Sequence, residues 1–206
     1  MDVDVERDKI GTIIDAGRYA PAAGNIQNWR FVLVKDKNSI KKLADAAFQQ
    51  FWIATAPVVV VVCAEIEKLE QYYGIRGEKL YSIQNCAAAM ENMLLMATDL
   101  GLGACWVSAF DETMVRRVLH IPENVRPQAI LPIGYPDEEV PEPPNYTAED
   151  VTFFEKYGNK VAFFDKVLVN FNVAGKTIER GKRFVDKLKG ATKRIVEDMK
   201  RRKTQR

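Results

Sequence analysis

The sequence of 206 residues predicts an α+β protein, with one sheet and helices packed against it. Five consecutive valines that begin at Val58 are typical of a strand buried on both faces. Residues 80–100 are apolar almost all round and indicate a central buried helix. The other strand and helix patterns alternate irregularly along the chain, which favours the α+β class.

The first helix and the first strand are predicted from periodicity and helix breakers. Residues 8–19 carry apolar side chains at helical spacing, namely Ile10, Ile13, Ile14 and Ala16. Pro21 and Gly24 then end the helix. Residues 31–34 are typical of a short buried strand.

A second helix and the valine strand follow. Asn38 or Ser39 is predicted to cap the helix, and its apolar positions are Ile40, Leu43, Ala44, Ala47 and Phe51. The valine strand is predicted over residues 58–64, directly after Pro57. Residues 65–79 are polar and contain glycine, so we expect a mobile or surface-exposed stretch there.

Residues 80–100 allow two interpretations, a buried helix and a membrane span. Five polar residues lie within the segment: Gln84, Asn85, Glu91, Asn92 and Asp99. A helix exposed to lipid tolerates such groups poorly, so the buried helix is favoured.

The later elements are predicted by the same signals. Asp111 can cap a helix that runs to about residue 119, before Pro122 stops it. Residues 129–135 predict a strand, and the residues 136–145, rich in Pro and Glu, predict an extended connector.

Charge is distributed unevenly along the chain. Residues 176–206 carry 13 Lys and Arg against 4 Asp and Glu, whereas residues 1–175 carry 17 against 24. Apolar side chains recur in this basic tail as one helical stripe: Phe184, Leu188, Ala191, Ile195 and Met199. We therefore predict a main domain over residues 1–175 and a basic amphipathic helix over residues 176–206 that extends it. The stripe favours packing on a partner subunit; binding of nucleic acid or an anionic membrane surface is the alternative.

Cysteine usage and the N-terminal sequence predict a cytoplasmic protein. Cys63, Cys86 and Cys105 are 23 and 19 residues apart, which matches neither a metal-ligand spacing nor a disulfide framework. Each lies in an apolar run and is expected to be a small core residue. The first eight residues are acidic, unlike a secretory signal.

The first candidate binding segment is Ala-Pro-Ala-Ala-Gly-Asn-Ile-Gln-Asn-Trp-Arg-Phe, residues 20–31. Asn25 and Gln27 are two apart, so in an extended segment both side chains point to one side. Two amides on one side can donate to and accept from the edge of a heterocycle, and Gly24 lets a ligand approach the backbone closely. The alternative is that both amides lie on the surface of an ordinary loop.

The second candidate segment is Gly-Leu-Gly-Ala-Cys-Trp-Val-Ser-Ala-Phe-Asp, residues 101–111. Gly101 and Gly103 end the long helix and allow a tight turn into the following strand. Its small side chains would let backbone N–H groups near Ser108 and Ala109 reach a ligand. Alone, the segment is also consistent with an ordinary helix-to-strand junction.

In this order, the two segments and the Ile-Gly-Tyr-Pro sequence at residues 133–136 resemble the nitroreductase family, the FMN-dependent NAD(P)H oxidoreductases. The resemblance implies a three-layer sandwich with a mostly antiparallel central sheet, and a homodimer with flavin at the subunit interface. It implies hydride transfer from NAD(P)H to the flavin, followed by reduction of a nitroaromatic, quinone or similar small acceptor. The implied cofactor contacts are Pro21, Ala22, Ala23, Asn25, Gln27, Val107, Ser108 and Ala109.

The chain departs from the family pattern where the flavin phosphate is expected to bind. The family usually has an arginine-rich segment before its first helix, and this chain has only Arg7 there. Ala22 and Asn28 replace the usual Ser and Pro of the first segment. Arg18, Arg30 or a basic residue of the second half are alternative phosphate ligands. FMN is the expected cofactor, with riboflavin or another flavin as alternatives.

No side chain is predicted to act as a catalytic acid, base or metal ligand. The chain contains no Gly-x-Ser-x-Gly elbow or phosphate-binding Walker loop, and its single histidine, His120, is expected at a helix end on the surface. Flavin chemistry needs no such group, because the cofactor carries the electrons. The competing hypotheses are a non-catalytic flavin-binding protein and a protein that binds nucleic acid or membrane surfaces through its basic tail.

Overall fold

A computed structural model describes residues 3–138, 140–141 and 143–160 of the chain. The chain divides into two compact units, Met1–Val140 and Pro141–Arg206. The candidate segments both lie in the first unit. The predicted basic helix over residues 176–206 lies outside the described residues.

The first unit contains a four-stranded antiparallel sheet. Its strands are β1 (Trp29–Val34), β2 (Val58–Glu65), β3 (Gly103–Ala104) and β4 (Val125–Gly134), in the order β1-β2-β4-β3. The valine run lies in the inner strand β2, and its side chains are fully buried, as predicted. The strand predicted over residues 129–135 begins earlier, at Val125.

Helices cover both faces of the sheet and form the predicted three layers. Helices α1 (Arg7–Arg18) and α4 (Ser82–Asp99) pack on the face that includes Val58, Val60 and Val62. Helices α2 (Lys37–Ala46) and α5 (Glu112–Leu119) pack on the opposite face. Alternating side chains of one strand thus contribute to two separate cores, which requires the unbroken apolar sequence of β2.

Two details of α2 differ from the prediction. The helix begins one residue before Asn38, and its cap is Asp36, whose carboxylate accepts a hydrogen bond from the Ser39 N–H at 2.8 Å. Phe51 lies beyond the helix, in a 3₁₀ turn (Phe51–Thr55), and is exposed. Asp36 has the same capping chemistry as the two predicted residues, which explains the shift.

Residues 65–79 form a helix where no element was predicted. Helix α3 (Glu67–Arg76) is followed by a π-helical turn (Gly77–Tyr81) that leads into α4. Its residues are mostly exposed, as expected, but Leu69 is fully buried and fixes the helix to the unit. One apolar anchor among polar residues leaves no amphipathic stripe in the sequence.

Helix α4 is buried on one face, through residues such as Asn85, Ala89 and Met93. Ile83 and Leu95 on the same helix are exposed. In the part of the chain that the structure describes, no helix is both long and apolar enough to cross a membrane.

The described part of the second unit contains one short helix, α6 (Ala148–Val151). Thr147 and Asp150 form a reciprocal capping box at its start. Phe153 and Lys160 pair as an isolated antiparallel bridge.

Candidate functional site

The first segment forms a tight turn between α1 and β1. A short 3₁₀ turn (Ala23–Asn25) has positive φ at Gly24 (55°) and Asn25 (57°), so the expectation of an extended segment was wrong here. The two amides nevertheless meet, because Gln27 Nε2 donates to Asn25 Oδ1 at 3.2 Å. Both side chains are exposed on the surface of the turn.

Asn85 of α4 holds this turn in place. Its side-chain oxygen accepts from the Ala23 N–H at 2.9 Å. Its side-chain amide donates to the Ile26 carbonyl at 3.1 Å and to Asn28 Oδ1 at 3.0 Å. Asn28 in turn donates to Ser82 Oγ at 2.8 Å. Asn28, Ser82 and Asn85 are all buried, so this network fixes the turn to the long helix.

Helix α3 contacts the same turn from outside. A side chain at Gly24 would collide with the Tyr73 hydroxyl, so the tyrosine packs directly against the glycine. Gly24 is therefore required by both its positive φ and this contact. No pattern in the sequence indicates that α3 contacts the first segment.

The second segment pairs with β4 along the edge of the sheet. Gly101, at φ 73°, ends α4, and Val107 exchanges two hydrogen bonds with Ile130, at 3.0 and 2.9 Å. The Val107 N–H is thus already used. Among the described residues, the N–H groups of Ser108 and Ala109 have no acceptor, and both residues are exposed. These two groups are available to a ligand.

Two aromatic side chains of the second segment have different surroundings. Trp106 is partly exposed and donates from Nε1 to Ser108 Oγ at 2.6 Å. Phe110 packs against the core under α2 and α5. Asp111 caps α5 as predicted, accepting from the Met114 N–H at 2.9 Å.

The connection between α2 and β2 lies against the second segment, which sequence reasoning missed. Gln50 Nε2 lies 3.4 Å from the Ala109 carbonyl and 2.9 Å from the Ala47 carbonyl. Phe48 and Gln49 both have positive φ, 54° and 62°, an uncommon conformation for side chains of this size. Phe48 is exposed beside these contacts. Nothing in a single sequence marks this strained turn.

The two candidate segments lie at opposite edges of the sheet. The first leads into β1, and the second contains β3, with β2 and β4 between them. Three strand spacings correspond to about 14 Å across the sheet. The fold of one chain therefore does not bring the amides of Asn25 and Gln27 to the N–H groups of Ser108 and Ala109.

A cavity of about 450 Å³ opens beside the second segment. It is lined by Gly103, Ala104 and Cys105 of that segment, by residues of the β4 end and by Trp52 and Thr55. No residue of the first segment lines it. The cavity therefore lies at the edge of the sheet that β3 forms.

The arginines considered as phosphate ligands differ in their surroundings. Arg18 is paired with Asp15, and Arg30 with Glu65 at 2.7 Å. Arg7 is exposed at the start of α1, the end that faces away from the first segment. Both arginines predicted by number, Arg18 and Arg30, therefore have their charge opposed by a carboxylate.

Tyr135 of the Ile-Gly-Tyr-Pro sequence contacts the start of α1. Its hydroxyl accepts from Lys9 Nζ at 2.7 Å and lies 2.7 Å from a Glu6 carboxylate oxygen. These contacts with Tyr135 lower the pKa of Glu6 and raise that of Lys9. The motif thus contributes to holding the first helix on the sheet.

The cysteines fall into two classes. Cys63 and Cys86 are buried as predicted, and burial raises the pKa of each thiol to about 12. Cys105 is exposed, so its expected core position was wrong; partial burial still raises the pKa of its thiol. It directly follows the edge strand β3, and its N–H donates to the Pro132 carbonyl at 3.3 Å. Within the described ranges, no cluster of His, Cys, Asp and Glu is placed to hold a metal, and His120 is exposed at the end of α5.

Comparison with known proteins gives a consistent result. The sequence model of the Nitroreductase family matches residues 1–54 and 46–135. A protein of Archaeoglobus fulgidus described as "Putative NADH dehydrogenase/NAD(P)H nitroreductase" is 36% identical over 143 residues, covering 67% of this chain and 78% of the relative. "FMN reductase [NAD(P)H]" of Bacillus subtilis is 27% identical over 172 residues, covering 77% and 69%.

Solved structures show the same similarity. NfrA2 of B. megaterium superposes with a TM-score of 0.71 at 25% identity, covering 76% of this chain and 69% of the other. A protein of Bacteroides thetaiotaomicron described as a "Putative NADH dehydrogenase/NAD(P)H nitroreductase" superposes with a TM-score of 0.66 at 28% identity, covering 76% and 89%. The matched region contains both candidate segments, and the chain belongs to the nitroreductase family.

Proposed function

We propose that this protein is an NAD(P)H-dependent flavin oxidoreductase that uses FMN. The observation that carries the proposal is the pair of unbonded N–H groups at Ser108 and Ala109, on an edge segment fixed by Val107 and Ile130. The names of the relatives, NAD(P)H nitroreductase and FMN reductase, support the same cofactor and co-substrate.

The donor set fits a flavin ring. A reduced flavin carries negative charge along its pyrimidine edge, and an oxidised one presents acceptors at N5 and the carbonyl oxygens. Backbone N–H groups held next to the bridge between Val107 and Ile130 are preorganised donors for such positions. Asn25 and Gln27 supply amides that can both donate and accept. The small side chains of Ala22, Ala23 and Ala109 leave room for a flat ring to approach the backbone.

The residues of this chain would bind the flavin and orient it. Bound FMN supplies the redox chemistry by accepting a hydride from NAD(P)H and passing electrons to an acceptor. Ser108 and Ala109 N–H groups would hold the ring edge in one position. Pro21, Ala22 and Ala23 would limit access of solvent to it. Both substrates would use the same exposed surface in turn, which gives ping-pong kinetics with nitroaromatic, quinone or similar small acceptors.

The working unit proposed is a homodimer with the flavin between subunits. The two segments lie at opposite edges of one sheet, so a second copy is the simplest way to complete a site that needs both. Leu95, an exposed apolar side chain on α4, is consistent with packing of this helix on another subunit.

The assay that tests this proposal measures NAD(P)H oxidation by the FMN-loaded protein, with menadione or a nitroaromatic as acceptor. We expect turnover that depends on both the acceptor and the protein. A protein that binds FMN but shows no turnover with any such acceptor would instead be a flavin-binding protein without this activity.

A further inference from the structure

Arg76 is an exposed cation at the end of α3. Its Nε donates to the Tyr81 hydroxyl at 2.9 Å, and its guanidinium carbon lies 5.4 Å from the centre of the Tyr81 ring. Among the described residues, no carboxylate lies within ion-pair distance of Arg76. Its remaining guanidinium N–H groups are therefore available to an anion from solution.

Aromatic contacts connect Arg76 to the first segment. The rings of Tyr81 and Tyr73 meet edge to face, with centres 5.1 Å apart. The Tyr73 hydroxyl packs against Gly24. Arg76, Tyr81 and Tyr73 thus form a continuous row of contacts that ends at the turn carrying Asn25.

The cations nearer in sequence to the first segment have different partners. Asp15 opposes Arg18, and Glu65 opposes Arg30. A phosphate that approached either arginine would have to displace or face a carboxylate. A phosphate that approached Arg76 would meet no such carboxylate among the described residues.

We propose that Arg76 forms a subsite for a phosphoryl group of a nucleotide bound at the first segment. The planar guanidinium suits two phosphate oxygens, and the Tyr81 hydroxyl, which accepts from Nε, keeps its own proton to donate beside it. The phosphoryl group belongs to the flavin or to NAD(P)H, since quinones and nitroaromatics carry none. This inference rests on the proposed function.

The test uses equilibrium binding with four probes. FMN is compared with riboflavin, and NAD(P)⁺ on the FMN-loaded dimer is compared with N-benzyl nicotinamide, which lacks phosphate. The variants are Arg76→Gln, Arg76→Lys and Arg117→Gln. Arg117 is the matched control, because it is an exposed arginine on α5, on the opposite face of the sheet.

We expect Arg76→Gln to lower the affinity for one phosphate-bearing probe by about tenfold, while the affinity for its phosphate-free counterpart is unchanged. Arg76→Lys should recover part of the loss, and Arg117→Gln should bind like the wild type. Loss confined to FMN identifies the flavin phosphate, and loss confined to NAD(P)⁺ identifies the dinucleotide.

Two outcomes refute the inference in different ways. If the wild type binds the probes, and the Arg76→Gln and Arg117→Gln variants have equal affinities for all four, the inference is wrong and the proposed function stands. If the wild type binds neither flavin, the proposed function is wrong, and the subsite proposal falls with it.

Discussion

Asn85 donates from its buried side-chain amide to Oδ1 of Asn28, 3.0 Å away, and thereby fixes the end of the first segment to the long central helix. Asn28 stands where the family resemblance has proline, so this chain holds its turn with an amide pair. The turn that presents Asn25 and Gln27 thus depends on a polar network inside the protein.

Replacement of Asn85 by alanine should cost both stability and flavin affinity. The change leaves the Ala23 N–H, the Ile26 carbonyl and Asn28 Oδ1 without the Asn85 side chain, which corresponds to about 3 kcal/mol in the free energy of unfolding. Urea unfolding measures this loss. Flavin titration of the folded variant should show weaker binding.

Asn92→Ala on the same helix is the control for this experiment. Asn92 donates a single hydrogen bond to the Ala16 carbonyl, at 3.1 Å, away from the first segment. We expect a loss of about 1 kcal/mol and unchanged flavin affinity. Equal effects of the two substitutions on flavin binding would contradict the assigned role of Asn85.

Gly24→Ala should be more damaging than Gly101→Ala. Both glycines have positive φ, which costs an alanine about 1–2 kcal/mol. Only at Gly24 would the added methyl group also meet the Tyr73 hydroxyl, since nothing lies within contact distance at Gly101. Thermal unfolding of both variants measures the difference. Adding Tyr73→Phe to Gly24→Ala should recover part of the stability; no recovery would show that Tyr73 does not pack there.

A mixing experiment tests whether the site lies between subunits. One variant carries Asn25→Ala and Gln27→Ala, and the other carries Ala109→Pro, which removes an N–H that has no acceptor among the described residues. Each variant alone should show little NAD(P)H oxidation. Hybrid dimers combine one intact first segment with one intact second segment, so mixing should restore about a quarter of the wild-type activity. Failure to recover activity in hybrids shown to form would place both segments of each site on one chain.

Thiol labelling should separate Cys105 from the other two cysteines. Cys105 is exposed, whereas burial raises the pKa of the Cys63 and Cys86 thiols to about 12 and keeps them protonated. The native protein should therefore take up one label, and Cys105→Ser should take up none. Since the pKa of Cys105 is raised above the usual value of about 8.5, its labelling rate should keep increasing as pH rises through that value. A Cys105 labelling rate that is already high at neutral pH and does not increase further with pH would contradict this expectation.

The sheet and its two layers of helices were predictable because β2 and α4 carry strong apolar patterns. Because Val58 to Val62 are all apolar, both faces of β2 must be buried. The apolar residues of α4 need a core on at least one side of the helix. Capping by Asp111 was equally visible, since a short acidic side chain before an apolar periodicity has few other roles.

The parts missed were set by tertiary contacts. Helix α3 has a single buried anchor, Leu69, and its tyrosine at position 73 matters only because the fold places it on Gly24. Likewise, Gln50 meets Ala109 across 59 positions of sequence, a contact that periodicity does not encode. The position of Cys105 was predicted wrongly because its apolar neighbours did not reveal that it follows a strand at the edge of the sheet.

The most direct measurement is an anaerobic titration of the protein with FMN, followed by addition of NADH or NADPH. We expect saturable binding at one FMN per subunit, with a perturbed flavin spectrum, and loss of the yellow flavin absorbance when the nicotinamide is added. Free FMN at the same concentration should be reduced far more slowly. An unperturbed FMN spectrum throughout the titration, or bound FMN that neither nicotinamide reduces, would show that the protein is not an NAD(P)H-dependent FMN oxidoreductase.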